Sequence, residues 1–213
     1  MDKRLTAILL KATDLKDNDK SVRLFSAEEG VVTAVMRGVR KPGAKLKFAA
    51  QPFALCSYEL SEKAGRNIVT GASPIEDLYS LCMEPESFAS ACLMLEATDK
   101  AAASIEPDKL FVVLLKSLKA LLLSEASSAL ITAKFLQKVL SMSGFVVVPK
   151  VPVTAFDTPS ELLSYIAFRK LDELGNIEVA RETEKKAVRL IATRFENVYE
   201  TPLASLKIYL SMI

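Results

Sequence analysis

The sequence predicts an α+β protein: a small β-barrel or sandwich first, then an all-helical region. Three observations carry this reading. Five of the seven glycines fall in the first 71 residues, the turn density that short strands need. Five β-rich runs recur there at roughly ten-residue spacing, the rhythm of a small closed or sandwiched sheet. After Pro74 the apolar residues recur at helical spacing instead.

The expected strands are Leu5–Thr13, Ser21–Ser26, Val31–Arg37, Pro52–Leu60 and Asn67–Gly71, separated by the breakers DLKDNDK, EEG, RKPG and SEKAG. Several are apolar on both faces, as in Thr6-Ala7-Ile8-Leu9-Leu10. A strand buried on both faces needs a second layer outside the barrel. The helical grammar begins with Phe88, Ala91, Cys92 and Leu95. It continues through Leu110, Leu114, Leu115, Leu118, Leu121 and Leu122, then Phe135, Leu136, Val139 and Leu140. Gly144 suits a helix end, where a left-handed residue closes the last turn. FVVVPKVPV reads as extended, because proline forbids helix continuation. Thr158-Pro159-Ser160-Glu161 carries a capping box with Pro at the first helical position. Gly175-Asn176 is a stop, a long helix carries Ala187, Leu190, Ile191 and Val198, and Thr201-Pro202 opens a terminal helical turn or two.

The chain has 213 residues, half of them apolar and a quarter charged, enough to bury a sizeable core. It has no His and no Trp. Without imidazole, Ser-His-Asp and Cys-His catalysis are excluded. Cys56, Cys82 and Cys92 form no C-x-x-C pair, so a structural zinc site lacks its ligand set. An odd number of scattered cysteines fits a reducing compartment. The N-terminus lacks a small-residue cleavage site, and two lysines interrupt the most apolar run, Leu110–Leu123. The expectation is a soluble cytoplasmic protein. No P-loop, G-x-G-x-x-G or nucleophile elbow is present, so no enzyme activity and no cofactor are expected. Asp14, Asp17 and Asp19 share one turn but lack the Gly and bidentate Glu of a calcium loop; a polar hairpin turn explains them.

The net charge of +2 conceals segregation. Residues 1–74 carry a net +5, residues 75–106 a net −6, residues 107–151 a net +4 and residues 152–213 a net −1. Arg37–Lys47, RGVRKPGAKLK, holds five basic residues and no acid. It reads either as a solvated connection or as a mobile phosphate-binding arm giving salt-dependent, sequence-independent affinity. Small five-stranded barrels combine such arms with stacking aromatics. Of the candidate rings, Phe25 and Phe53 suit the core, Tyr58 is a further stacker, and Phe48 is the expected exposed ring. In the helical half, Lys116 and Lys119, and Lys134 and Lys138, each share a helix face. Ordinary solvated amphipathic faces explain both pairs.

The run Asp19-Lys20-Ser21-Val22-Arg23-Leu24-Phe25-Ser26-Ala27-Glu28-Glu29-Gly30, followed by Val35-Met36-Arg37-Gly38-Val39-Arg40-Lys41, resembles the N-terminal domain of the RecO family. Gln51-Pro52-Phe53 resembles the opening of that family's fourth strand. Lys134-Phe135 with Val139, Leu140, Gly144 and Phe145 resembles its basic-F-x-x-x-L-L-x-x-x-G-[YF] helix end, and Pro202-Leu203-x-Ser205 resembles its P-L-x-S turn. The resemblance implies an OB-fold barrel over residues 1–76 packed on a helical domain over residues 77–213. It implies a bacterial recombination mediator that binds single- and double-stranded DNA and anneals complementary strands. The implied partners are RecR and single-strand-binding protein, acting so that RecA can load. On that basis Arg23, Arg37, Arg40, Lys41, Lys45 and Lys47 are the expected phosphate contacts and Phe48 the stacking ring. Lys134 and Lys138 are expected to meet the acidic tail of single-strand-binding protein. The four-Cys zinc site of many members has no counterpart in Val146–Asp157, and the chain is short for the family. An interaction scaffold and an OB-type RNA-binding factor are the competing functions.

Overall fold

The computed structural model describes residues 2–15, 17–145 and 158–212. The expected extended run after Phe145, and the stretch Val146–Asp157, lie outside the described residues. The chain divides into two compact units: Met1–Cys82 with Glu106–Val112, and Met83–Ile105 with Val113–Ile213.

In the first unit, β1 (Asp2–Leu15), β2 (Asp19–Ser26), β3 (Gly30–Met36), β4 (Leu55–Lys63) and β5 (Arg66–Glu76) close into a barrel ordered β1-β2-β3-β5-β4. All pairings are antiparallel except β3 with β5, the layout of an OB-fold. Strand alternation fills the interior. Leu5, Ala7 and Leu9 of β1, Val22 and Leu24 of β2, and Val32, Ala34 and Met36 of β3 point inward. They meet Cys56, Tyr58 and Leu60 of β4 and Val69 of β5 in one core. The intervening residues Ile8 and Phe25 face outward yet are fully buried. The second layer expected over them comes from within the same unit. The Phe111 ring lies 6.0 Å from that of Phe25, tilted by 45°. Gly30 takes φ +69, and a Cβ there would sit 3.4 Å from Pro107. The β2–β3 turn therefore favours glycine for its left-handed backbone, while the proline contact would be an ordinary one.

The β3–β4 connection spans residues 37–54 as a chain of turns. Backbone N–H groups of Lys41, Ala44 and Lys47 donate to the carbonyls of Gly38, Lys41 and Ala44 at 3.1 to 3.2 Å, and a 3₁₀ turn follows over Lys47–Ala50. Val39 and Ala49 are buried in the barrel core and pin the connection from both ends. Tyr58, buried in β4, donates its hydroxyl to the Ala49 carbonyl at 2.9 Å. Burial, and then the neighbouring Cys56, push the phenol far above its ordinary value.

Among the described residues six α-helices follow: α1 (Pro85–Ala101), α2 (Pro107–Leu123), α3 (Ser128–Met142), α4 (Pro159–Ala167), α5 (Arg181–Tyr199) and α6 (Ala204–Met212). The first turn and a half of α2 belongs to the barrel unit. Within the helical unit α3 packs on α1, α4 and α5, and α1 also packs on α6. The local signals read from the sequence act as physical caps. Thr158 and Glu161 form the capping box of α4. Gly144, at φ +87, ends α3: Phe145 N–H donates to Leu140 O at 3.0 Å and Gly144 N–H to Ser141 O at 3.1 Å. That pair of bonds is a Schellman closure. The P-L-x-S turn has a similar reason. The Glu96 carboxylate on α1 accepts the N–H groups of Ala204 at 2.9 Å and Ser205 at 2.8 Å and also the Ser205 hydroxyl. Glu196 accepts Leu203 N–H at 2.8 Å. Among the described residues no helix is long and apolar enough to cross a membrane.

Candidate nucleic-acid interface

The element Val35-Met36-Arg37-Gly38-Val39-Arg40-Lys41 folds so that its apolar members go in and its cations come out. Met36 and Val39 are buried, while Arg37, Arg40 and Lys41 are exposed. Gly38 makes the reversal at φ +63, and its N–H donates to Asp19 Oδ1 at 2.7 Å. Arg40 N–H donates to Asn18 O at 3.0 Å. The β1–β2 loop and the start of the basic connection are thereby tied together. They line one shallow depression with Asp17, Asn18, Asp19, Arg37, Gly38 and Lys41. The acid-rich turn is used here: Asp14 pairs with Arg40 at 3.3 Å and with Lys20 at 4.0 Å. These carboxylates orient cations, and among the described residues no group of three or more His, Cys, Asp or Glu is arranged to hold a metal ion.

Lys45 and Lys47 are exposed farther along the connection, and Phe48 follows as an exposed ring. Phe25, Phe53 and Tyr58 are all buried. Phe53 holds a left-handed φ of 62° while buried, a conformation that costs a bulky residue energy and that its packing must over-determine. Arg23 is half-buried on the outward face of β2. It stands between Lys11 of β1 and Thr33 of β3 in the cross-strand register.

Lys11, Lys63 and Arg66 of this unit were not among the expected contacts. Lys11 is exposed beside Arg23. The inward series Leu5, Ala7, Leu9 would, if continued, turn Lys11 into the core. A register shift between Leu9 and Lys11 reverses the phase, so that Ala12 packs inward. Lys63 and Arg66 face each other across the exposed β4–β5 turn. That turn reaches the end of β3, where Ala34 pairs with Asn67 and Asn67 Nδ2 donates to Thr33 O at 3.2 Å. The paired Lys/Arg at a hairpin end was the signal available for those two. The β1–β2 loop, the β4–β5 turn and the start of the basic connection thus meet at one end of the barrel, where OB-folds carry oligonucleotide-binding loops.

Lys134 and Lys138 belong to the helical unit, on α3. Lys134 is half-buried, and its Nζ donates to the carbonyls of Ile166 and Ala167, both at 2.8 Å. It therefore occupies the C-terminus of α4, where unpaired carbonyls attract a cation. Burial and then Lys138 lower its ammonium to about 8, with Glu173 pulling the other way. Lys138 is exposed.

A closed β1-β2-β3-β5-β4 barrel with this cationic end defines an OB-fold domain with a basic, phosphate-compatible surface. Residues 1–76 match the family model described as "Recombination protein O N terminal". It is similar to the DNA repair protein RecO of Syntrophomonas wolfei, 34% identical over 99 residues, covering 46% of this chain and 39% of the relative. The DNA repair protein RecO of Desulfitobacterium hafniense is 28% identical over 140 residues, 65% of this chain and 50% of the relative. That of Heliobacterium modesticaldum is 30% identical over 112 residues, 53% and 41% respectively. The matched stretch thus spans half or less of the length of these relatives.

Proposed function

We propose that the chain is a DNA-repair and recombination mediator. It binds single- and double-stranded DNA, anneals complementary strands, and helps load RecA with RecR onto DNA coated with single-strand-binding protein. The observation that carries this reading is the line of exposed cations Arg37, Arg40, Lys41, Lys45 and Lys47 on one connection of the barrel. The names of its relatives point the same way. Annealing asks for no bond chemistry. Two strands repel each other, and a cationic surface screens that repulsion while leaving bases free to pair. Because the connection is held by backbone turns, its charges are presented without a large ordering cost.

Arg40→Ala, Lys41→Ala and Lys45→Ala combined should weaken binding to a single-stranded oligonucleotide and flatten the salt slope by roughly one per lost phosphate contact. An unchanged plot of log K against log salt would sink the phosphate assignment. The full role is tested by annealing complementary oligonucleotides coated with single-strand-binding protein, with and without this chain. Competition between single-stranded DNA and RNA separates the reading from RNA binding. For the tail of single-strand-binding protein, Lys138 is the exposed cation of the α3 pair and Lys134 acts by holding α4. Lys138→Ala should weaken capture of that tail peptide in fluorescence polarisation and leave oligonucleotide affinity alone.

A further inference from the structure

We propose that an apolar cleft at the opposite end of the β4–β5 ladder from its turn takes a single unstacked nucleobase, with adenine or cytosine favoured over thymine. This rests on the DNA-binding reading above and deepens it. The cleft holds about 270 Å³, below the roughly 300–1,000 Å³ of sites for drug-sized molecules and suited to one flat ring system. Its floor includes Phe53 and Leu55, 1% and 2% exposed, and its rim carries Phe48 and Tyr79, 37% and 44% exposed. Two exposed rings over an apolar floor form a stacking platform, because every base has a π-face to offer.

The surrounding charge sets the direction of entry. Lys45 and Lys47 precede Phe48 by three residues and one residue, on the same connection that begins beside the β1–β2 loop at Arg37. A strand following those cations along the connection arrives at the cleft with its phosphates on the lysine side. The lining of the cleft itself carries Glu76 and Asp77. Phosphate is repelled there, so the base and not the backbone must point in. Asp77 Oδ1 already accepts Tyr79 N–H at 2.8 Å, which fixes the acid relative to the ring. Carboxylates only accept hydrogen bonds. Adenine N6 and cytosine N4 are amino donors, whereas thymine offers a carbonyl at the same position. An apolar peptide side chain would gain nothing from the two acids, and an acidic peptide would be repelled by them.

The test uses the full chain, oligo(dC) and oligo(dT) of equal length, and a mixed oligonucleotide carrying one 2-aminopurine. Phe48→Leu and Tyr79→Leu replace exposed rings, so thermal melting should stay at the wild-type value. Each should weaken oligonucleotide binding about five- to tenfold with the salt slope retained, since stacking rather than phosphate contact is lost. Both should abolish the 2-aminopurine emission change that the wild type produces on binding. Asp77→Asn should narrow the preference for dC over dT. Wild-type binding with an emission change identical in both ring variants would overturn the cleft while leaving DNA binding intact. Equal affinity for dC and dT in the wild type would overturn the base preference. Failure of the wild type to bind any oligonucleotide would overturn the underlying function and the cleft together.

Discussion

Gly38 is where a strand becomes a cationic loop. At φ +63 it lets Val39 return to the core while Arg37, Arg40 and Lys41 stay out. A Cβ there would meet only the Lys41 side chain, at 3.7 Å and beyond, so the cost of alanine is backbone strain, about 1 kcal/mol. Gly38→Ala should lower the melting temperature by a few degrees and weaken oligonucleotide binding although no charge is lost. The second revealing residue is Glu184 on α5. It is buried and accepts the Ser127 hydroxyl at 2.7 Å. Burial raises its carboxyl, opposed by the Ser127 bond and by Arg181. A carboxyl raised on folding binds its proton more tightly in the native state. Its contribution is therefore full below the unfolded carboxylate value and is lost as pH rises through the folded one. Glu184→Gln should remove that decline, so that the variant overtakes the wild type in urea unfolding at neutral pH. Gly38 was legible from its motif. Glu184 was not, because nothing local in ARETEKK marks one of its two acids as buried.

At the scale of elements, caps were legible and phases were not. The α4 capping box and the Gly144 closure follow from residues within one turn of the helix end. The α6 cap comes from far away in the chain: Glu96 lies on α1, 108 residues before Ala204. Glu96→Ala should remove three hydrogen bonds from the α6 N-terminus and destabilise the helical unit by about 1–3 kcal/mol, read as a lower urea midpoint. The β1 phase shift hid Lys11, because alternation read along a strand is valid only until an irregularity inserts a step. Tyr58 shows how an element is held from within: its hydroxyl donates to the Ala49 carbonyl in the 3₁₀ turn of the basic connection. Tyr58→Phe keeps the packed ring and leaves the Ala49 carbonyl without that bond. The expected cost is about 1 kcal/mol, with faster hydrogen exchange confined to residues 44–51.

For the whole molecule, the balance of charges is a cancellation between segments. Residues 1–74 and 107–151 carry the positive excess and residues 75–106 most of the negative one. Binding that depends on the barrel's cations should fall steeply with salt despite a net charge of only +2. A filter-binding titration across salt would read this as a slope of several units, and a slope near zero would contradict it. The fold class, the five strands in outline, the capping box of α4, the Gly144 closure of α3 and the basic stretch were readable from the sequence alone. Each depends on residues adjacent in sequence, where backbone sterics and side-chain alternation act directly. Which cations share one end of the barrel, that Phe48 keeps its ring exposed beside a cleft, and that Lys134 serves α4 were decided by tertiary structure. Strand closure and helix packing bring together groups 20 to 100 residues apart, and a cation's partner is set by what the fold brings within about 3 Å of it.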